Sequence, residues 1–120
     1  MWDVAANVYR EGDRDVIYRH CDGEIKVWNA TAVEGDGYVP TSNIVVIVCN
    51  AGYFTYIDIY RKTQRHWEVL RRRISTCDEL QYTLPMIRKL LVREGFDDAM
   101  DVVNYIAEYW AKQIRRWAQL

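Results

Sequence analysis

Apolar and polar positions alternate through most of the first sixty residues, and this period of two predicts β-strands. Residues 15–20 and 24–30 are predicted to pair as a hairpin, because Asp22-Gly23 between them is a tight-turn signal. Residues 4–10 are interpreted as a further strand, with a short helix as the alternative. Residues 34–43 hold two Gly, a Pro and small polar side chains, which predict a long loop.

The strand pattern continues to about residue 61. Residues 43–50 contain six consecutive apolar positions, most of them β-branched, which predicts a strand covered on both faces and central in its sheet. Residues 53–61 alternate again, so two sets of side chains face opposite ways. One set is Thr55, Ile57 and Ile59, and the other is Phe54, Tyr56, Asp58 and Tyr60.

The next segment, RKTQRHWEVLRRR at 61–73, carries six Arg or Lys and one His, and its local structure is ambiguous. A helix would place Trp67, Leu70 and Ile74 on one stripe. A strand over about 65–74 would instead put Leu70 and Ile74 on the face opposite to Trp67. The strand is favoured because a hairpin with the preceding strand needs only a short loop, and because the segment lacks a good helix N-cap.

The remainder of the chain has helical periodicity. Capping signals at Ser75 and Thr76 precede an apolar stripe that Pro85 interrupts, which predicts a short first turn and then a helix over about 84–94, ended by Gly95. A second helix is predicted over 97–119, capped by Asp97. Its apolar face consists of Ala99, Val103, Ile106, Trp110, Ile114 and Trp117.

Strands come first and helices last, which predicts an α+β fold. We expect an antiparallel β-meander of five or six strands, with two C-terminal helices packed on one face. Residues 1–120 are expected to form a single domain because 120 residues suit one core and no linker is visible.

The charge is uneven along the chain. The net charge is −1, but residues 1–60 are net acidic by five charges and residues 61–94 are net basic by five. Arg outnumbers Lys twelve to four, which hints at a heat-adapted source. The three Cys form no paired motif and no secretion signal precedes them, so we expect free thiols and a cytoplasmic protein.

Motifs for catalysis, metal binding or a cofactor are missing from the sequence, and it resembles no family that we recognise. The sharpest match is Glu24-Ile25-Lys26 on a predicted strand, with Asp15 on the predicted partner strand. That arrangement resembles the active site of restriction-type nucleases, where two carboxylates hold Mg²⁺ and a Lys assists. An alternating solvent-exposed face explains the same residues, so we expect no metal-dependent cleavage and no cofactor.

A basic and aromatic surface is the better functional hypothesis. If Ile25 and Val27 face the helices together with Ile57 and Ile59, aromatic side chains share an open sheet face beside the basic segment. Bases stack on such rings while cations follow the phosphates, which predicts a small non-enzymatic domain that binds single-stranded nucleic acid. The predicted site residues are Trp28, Tyr56, Tyr60, Arg61, Lys62, Arg65, Arg71, Arg72 and Arg73.

The alternative function is protein–protein interaction. Trp110 and Trp117 lie on one broad apolar stripe, and the hairpin that ends in the basic segment is expected to leave an open sheet edge. Both features predict a homodimer.

Overall fold

The computed structural model of the protein describes residues 1–119. Within this range nine strands are followed by two helices, so the predicted α+β class is confirmed. The strands form two antiparallel sheets, whereas the sequence predicted a single meander of five or six strands. The chain forms two compact units, residues 1–73 and the part from Ile74 onward.

The larger sheet has the order β1-β9-β8-β7-β4, and the smaller sheet has the order β2-β3-β6-β5. The strands are β1 (Asp3–Val4), β2 (Val8–Glu11), β3 (Arg14–Tyr18), β4 (Glu24–Trp28), β5 (Ala30–Val33), β6 (Gly37–Pro40), β7 (Ile44–Ala51), β8 (Phe54–Lys62) and β9 (Trp67–Ile74).

The predicted hairpin between residues 15–20 and 24–30 is wrong. β3 lies in the smaller sheet and pairs with β2 and β6, whereas β4 pairs with β7 in the larger sheet. The chain returns to the smaller sheet at Asn29, whose φ of 64° turns the backbone between β4 and β5. Part of the predicted loop, 34–43, forms β6, because its residues pair with both β3 and β5.

The predictions for the following strands are confirmed. β7 lies between β4 and β8, and its six middle residues are buried. The ambiguous segment forms β9. Trp67 belongs to the core cluster between the sheets and Leu70 does not, as expected if the two side chains lie on opposite faces of a strand. The alternation of β8 is also confirmed, since Val45 faces Tyr60 and Ile47 faces Asp58 across the ladder.

The core of the first unit lies between the two sheets. Tyr60 and Trp67 of the larger sheet pack in one cluster with Ile17 of the smaller sheet, and Val8 and Tyr38 border this cluster. Burial of such large apolar side chains stabilises the fold by roughly 2 kcal/mol each. The smaller sheet therefore covers part of one face of the larger sheet.

The second unit contains α1 (Cys77–Arg93) and α2 (Ala99–Ala118). Thr76 caps α1 as predicted, with its hydroxyl accepting from the Glu79 backbone N–H. The predicted break at Pro85 is wrong, because the helix continues through it and buries Ile87 and Leu91 beyond. Within residues 1–119, neither helix has the length and apolar character needed to cross a membrane.

The ends of the helices mostly follow the sequence signals. Gly95 lies just beyond α1 with a φ of 79°, a conformation that favours glycine, so the predicted stop is confirmed. The residue that precedes α2 is Asp98 and not Asp97, and its side chain forms no capping hydrogen bond. Ile114 of the predicted apolar face is 42% exposed, whereas Trp110 is buried.

Candidate functional site

A cleft of about 500 Å³ opens in the first unit where the two sheets separate. We call it the arginine cleft, because four of its nine lining side chains are arginines. It is lined by Asn7, Tyr18, Arg19, His20, Tyr56, Asp58, Arg71, Arg72 and Arg73.

Strand periodicity explains why β8 and β9 supply this cleft. Tyr60 is fully buried in the core between the sheets. Asp58 and Tyr56 follow on the same face of β8, at steps of two residues. Arg71 and Arg73 likewise follow the core residue Val69 on β9. One continuous sheet face therefore changes from apolar core to charged cleft along its length.

Asp58 is the buried centre of the cleft, with its side chain only 3% exposed. Its Oδ2 atom lies 2.9 Å from Arg19 Nε and accepts from the Tyr60 hydroxyl at 3.1 Å. Its Oδ1 atom lies 3.5 Å from Arg71 Nε. A buried carboxylate is stable only when paired and hydrogen-bonded, and Asp58 has both kinds of partner. Asp58 therefore holds two guanidinium groups at fixed positions.

Asn7 and Tyr60 extend this network below the cleft. Asn7 Nδ2 donates to the Tyr60 hydroxyl oxygen at 2.8 Å, and Asn7 Oδ1 accepts from Arg71 Nη2 at 3.0 Å. Burial, assisted by the charge of Asp58, raises the pKa of Tyr60 to about 12. Tyr60 thus stays neutral at physiological pH and remains a hydrogen-bond donor to Asp58.

Arg71 keeps its charge in this setting. Burial lowers the pKa of Arg71, but the hydrogen bond with Tyr60 and the charge of Asp58 raise it by more, so the net shift is upward. The Arg71 side chain is 54% exposed, so part of the guanidinium faces solvent in the cleft.

The other guanidinium groups lie against aromatic rings or backbone. Arg19 Cζ is 5.8 Å from the centre of the Tyr56 ring, and Arg73 Cζ is 5.4 Å from that of Phe54. Arg72 donates to the Arg71 carbonyl oxygen at 2.8 Å. The lining residues thus include four arginines and one carboxylate, which leaves an excess of positive charge.

His20 lies at the exposed rim of the cleft. Its Nδ1 is 3.0 Å from Asp36 Oδ2, and its Nε2 is 2.6 Å from Asp22 Oδ1. The hydrogen bond to Asp36 and then that to Asp22 raise the pKa of His20. The pair with Asp36 ties the segment after β3 to the turn before β6.

The N-terminal half of the basic segment is neutralised by acids. Arg61 Nε is 2.9 Å from Glu68 Oε1, and Lys62 Nζ is 2.9 Å from Asp15 Oδ2. A hydrogen bond from Trp67 Nε1, followed by that from Lys62, lowers the pKa of Asp15 to about 2. These cations are bound in structural pairs and lie outside the arginine cleft.

The structure brings together only part of the predicted site. Tyr56, Arg71, Arg72 and Arg73 line the arginine cleft, whereas Arg61, Lys62 and Arg65 do not. Arg19 and His20 were missed because they follow a short strand in a net-acidic region. The sequence signal that could have found them is the basic pair Arg19-His20 next to Cys21. It becomes informative only when Cys21 is known to be bonded to Cys49.

The prediction that Trp28 and Tyr60 share an open sheet face is wrong. Ladder pairing places Trp28 level with Val46 and Ile59, on the face opposite to Tyr60. Trp28 is 7% exposed and Tyr60 is fully buried. The error arose because no local pattern indicated a second sheet, which covers the Tyr60 face.

The residues of the nuclease-like match do not assemble as predicted. Asp15 lies in the smaller sheet and Glu24 in the larger one, so they are not on neighbouring strands. Asp15 is already bound by Lys62 and Trp67. Across residues 1–119, no group of three or more His, Cys, Asp or Glu side chains is placed to hold a metal ion.

The expectation of three free thiols is also wrong. Cys21 and Cys49 form a disulfide, and Cys77 is a free, exposed cysteine. Disulfides are typical of oxidising compartments, so the thiols no longer support the cytoplasmic prediction.

Comparison with known proteins does not indicate a family or a function for the chain. No protein-family model, no curated protein and no solved structure matches the chain.

Proposed function

We propose that the protein binds single-stranded nucleic acid in the arginine cleft, without catalysis. The observation that carries this proposal is the cluster of four arginines around one carboxylate and Tyr56, in a cleft open to solvent. Affinity for nucleic acid comes largely from cations that replace the counterions of the phosphates. The arginine cleft supplies such cations in a chain whose net charge is only −1.

The geometry of the guanidinium groups suits phosphate oxygens. Arg presents planar, fixed donors that match phosphate, and it remains charged at every physiological pH. Asp58 pairs with the Nε atoms of Arg19 and Arg71. Arg71 Nη2 also donates to Asn7, and Arg19 Nη1 donates to the His20 carbonyl oxygen, so an anion would meet the remaining part of each guanidinium group. Arg73 rests on the Phe54 ring, which restricts its orientation.

A single strand fits better than a duplex. Tyr56 is partly buried at the floor of the cleft, so a base must leave its neighbours to stack on this ring. Bases in a single strand do this readily, at a gain of ~1–3 kcal/mol per stacked base. Bases in a duplex are already stacked and paired, so a duplex offers only its phosphates.

Binding of short labelled oligonucleotides, measured by fluorescence anisotropy over a series of salt concentrations, tests the proposal. If all four arginines neutralise phosphates, the log–log slope of affinity against salt is about −3, from roughly −0.7 per contact. Single-stranded DNA or RNA is expected to bind more tightly than the matching duplex.

Paired variants locate the contact. Arg73→Ala is expected to weaken binding to all sequences alike and to reduce the slope by about 0.7. Arg65→Ala removes the same charge from an exposed residue outside the cleft and is expected to leave affinity unchanged. Undetectable binding at low salt, or equal losses in both variants, contradicts the proposal.

A homodimer through β9 is the second candidate. β1 pairs with Glu68 and Val69 of this eight-residue strand, and Ala5 donates to the Trp67 carbonyl oxygen, so a strand of another chain could add along residues 70–74. A two-fold antiparallel pairing there would bring Arg71 and Arg73 close to their own copies, and this repulsion favours nucleic acid as the partner. A dimer in light scattering, together with no binding of oligonucleotides, would put this candidate first.

A further inference from the structure

The segment that joins the two sheets carries both a cleft cation and a cysteine. Residues 19–23 lead from β3 of the smaller sheet to β4 of the larger one. Arg19 enters the cleft to pair with Asp58, and two residues later Cys21 forms the disulfide with Cys49. We call residues 19–23 the crossover loop.

The disulfide attaches the crossover loop beside the floor of the cleft. Cys49 is buried in β7 and lies directly opposite Tyr56 of β8 in the ladder. The bridge therefore anchors the loop next to the ring over which Arg19 lies. Arg19 reaches Tyr56 and Asp58 from a backbone that is covalently fixed two residues away.

Besides the disulfide, the crossover loop is held at its two ends, by the pair of Arg19 with Asp58 at the start and by the packing of Gly23 at the end. A Cβ atom on Gly23 would lie 2.0 Å from the Asn50 carbonyl oxygen, so the loop runs directly against β7 at this point. The Arg19 backbone N–H donates to the Asp36 carbonyl oxygen at 2.9 Å, and His20 pairs with two carboxylates at the exposed rim. Exposed pairs of this kind contribute little stability.

We propose that the disulfide between Cys21 and Cys49 is a redox control on the arginine cleft, an inference that rests on the proposed function. With the bridge intact, Arg19 is held over the floor of the cleft and the cleft binds nucleic acid. With the bridge open, the crossover loop is released, Arg19 leaves its place, and binding weakens. Arg71 then remains as the charged partner of Asp58.

The chemical step is a thiol–disulfide exchange with a dithiol reductant. A thiolate of the reductant attacks the sulfur of Cys21, which is partly exposed, and the thiolate of Cys49 leaves. The second thiol of the reductant then attacks the mixed disulfide and closes the reductant's own disulfide. Two electrons and two protons pass to the protein, which ends with two free thiols.

Oligonucleotide affinity is compared in oxidised and dithiol-treated protein, and free thiols are counted by alkylation under denaturing conditions followed by mass spectrometry. Oxidised protein is expected to show one reactive thiol, Cys77, and reduced protein three. Reduction is expected to weaken binding about tenfold, as for the loss of one charge-assisted phosphate contact.

Two variants separate the bridge from the reductant itself. Cys21→Ala opens the bridge and leaves Cys49 as a buried thiol, a state that a protein core tolerates. It is expected to bind about tenfold more weakly than oxidised wild type, and equally to reduced wild type, whether or not reductant is present. Cys77→Ala removes the exposed free cysteine and is expected to match wild type, including its response to reduction.

Hydrogen exchange distinguishes a local release from unfolding and does not depend on nucleic acid. Reduction is expected to speed exchange in residues 19–23 while β7 and β8 stay protected. Unchanged affinity in fully reduced protein, or loss of protection throughout the first unit, overturns the inference. If oxidised protein binds no oligonucleotide, the proposed function is wrong. Hydrogen exchange in residues 19–23 then still decides whether the disulfide controls the position of the crossover loop.

Discussion

The two ends of the basic segment at 61–73 each carry three cations but have different surroundings. At one end, Arg61 pairs with Glu68 and Lys62 pairs with Asp15. At the other end, three consecutive arginines share the cleft with a single carboxylate, Asp58. A run of cations therefore indicates a binding surface only where the fold leaves its charges uncompensated.

The difference follows from which strands cover each end. β3 of the smaller sheet brings Asp15 against Lys62 and Trp67, and this carboxylate neutralises the first end. Near Arg71 and Arg73 the smaller sheet contributes no acid to the cleft lining, which it reaches through Tyr18 at the end of β3 and through Arg19 and His20 beyond it. The first end is consequently structural, and the second is available to an anion.

Asp58→Asn is expected to have the largest effect on stability. The change keeps the size of the side chain but removes the charge that compensates Arg19 and Arg71 in a buried site. A loss of about 3 kcal/mol in the free energy of unfolding is expected, the low end for breaking a buried pair because Arg71 is half exposed. Urea denaturation measures it. Asp13→Asn, at an exposed position, is the control and is expected to change stability by less than about 0.5 kcal/mol.

Tyr56→Ala is expected to reduce nucleic-acid affinity about tenfold, or ~1.4 kcal/mol, through the loss of stacking. The salt slope is expected to stay constant, because stacking releases no counterions. Tyr56→Phe keeps the ring and is expected to bind as wild type does. A fall in slope in Tyr56→Ala would show that the variant disturbs Arg19, which lies over this ring, and would remove the evidence for stacking.

Asp15 is expected to contribute about 1 kcal/mol of pH-dependent stability at the neutralised end, after allowance for its solvent-exposed partners. Its pKa is lowered from the ordinary value of 3.8 to about 2, so the contribution is full above about pH 4 and is lost as the pH falls towards 2. Urea denaturation at several pH values measures it. The stability gap between wild type and Asp15→Asn should narrow over this range, and a constant gap would contradict the pairing.

The individual strands and helices were easier to predict from the sequence than the division of the strands into two sheets. Periods of two and 3.6 identified β7, β8 and both helices, because these signals depend on neighbours in the chain. For β9 the pattern was ambiguous, and the short loop after β8 and the missing N-cap favoured the strand. The smaller sheet was missed as a separate layer because its strands are four or five residues long and its ladders join distant segments. The role predicted for Trp28 was wrong for the same reason, because which sheet face is open depends on where the second sheet lies.

The site was predicted in part for a similar reason. Arg71, Arg72 and Arg73 stood out as a run, and alternation placed Tyr56 opposite Ile57. Arg19 joins them only through its pairing with Asp58, thirty-nine residues away, which no local pattern reports. The disulfide was missed because two cysteines without a paired motif give no evidence of proximity.

The most direct test of the central claim compares two double variants that each remove two positive charges from the basic segment. Arg72→Ala/Arg73→Ala alters the arginine cleft, and Arg61→Ala/Lys62→Ala alters the neutralised end. The salt dependence of binding to a single-stranded oligonucleotide is measured for both and for wild type. The cleft variant is expected to lower the slope by about 1.4, and the other variant to leave it unchanged. Equal decreases in the two slopes would contradict the claim that only the second end binds the phosphates.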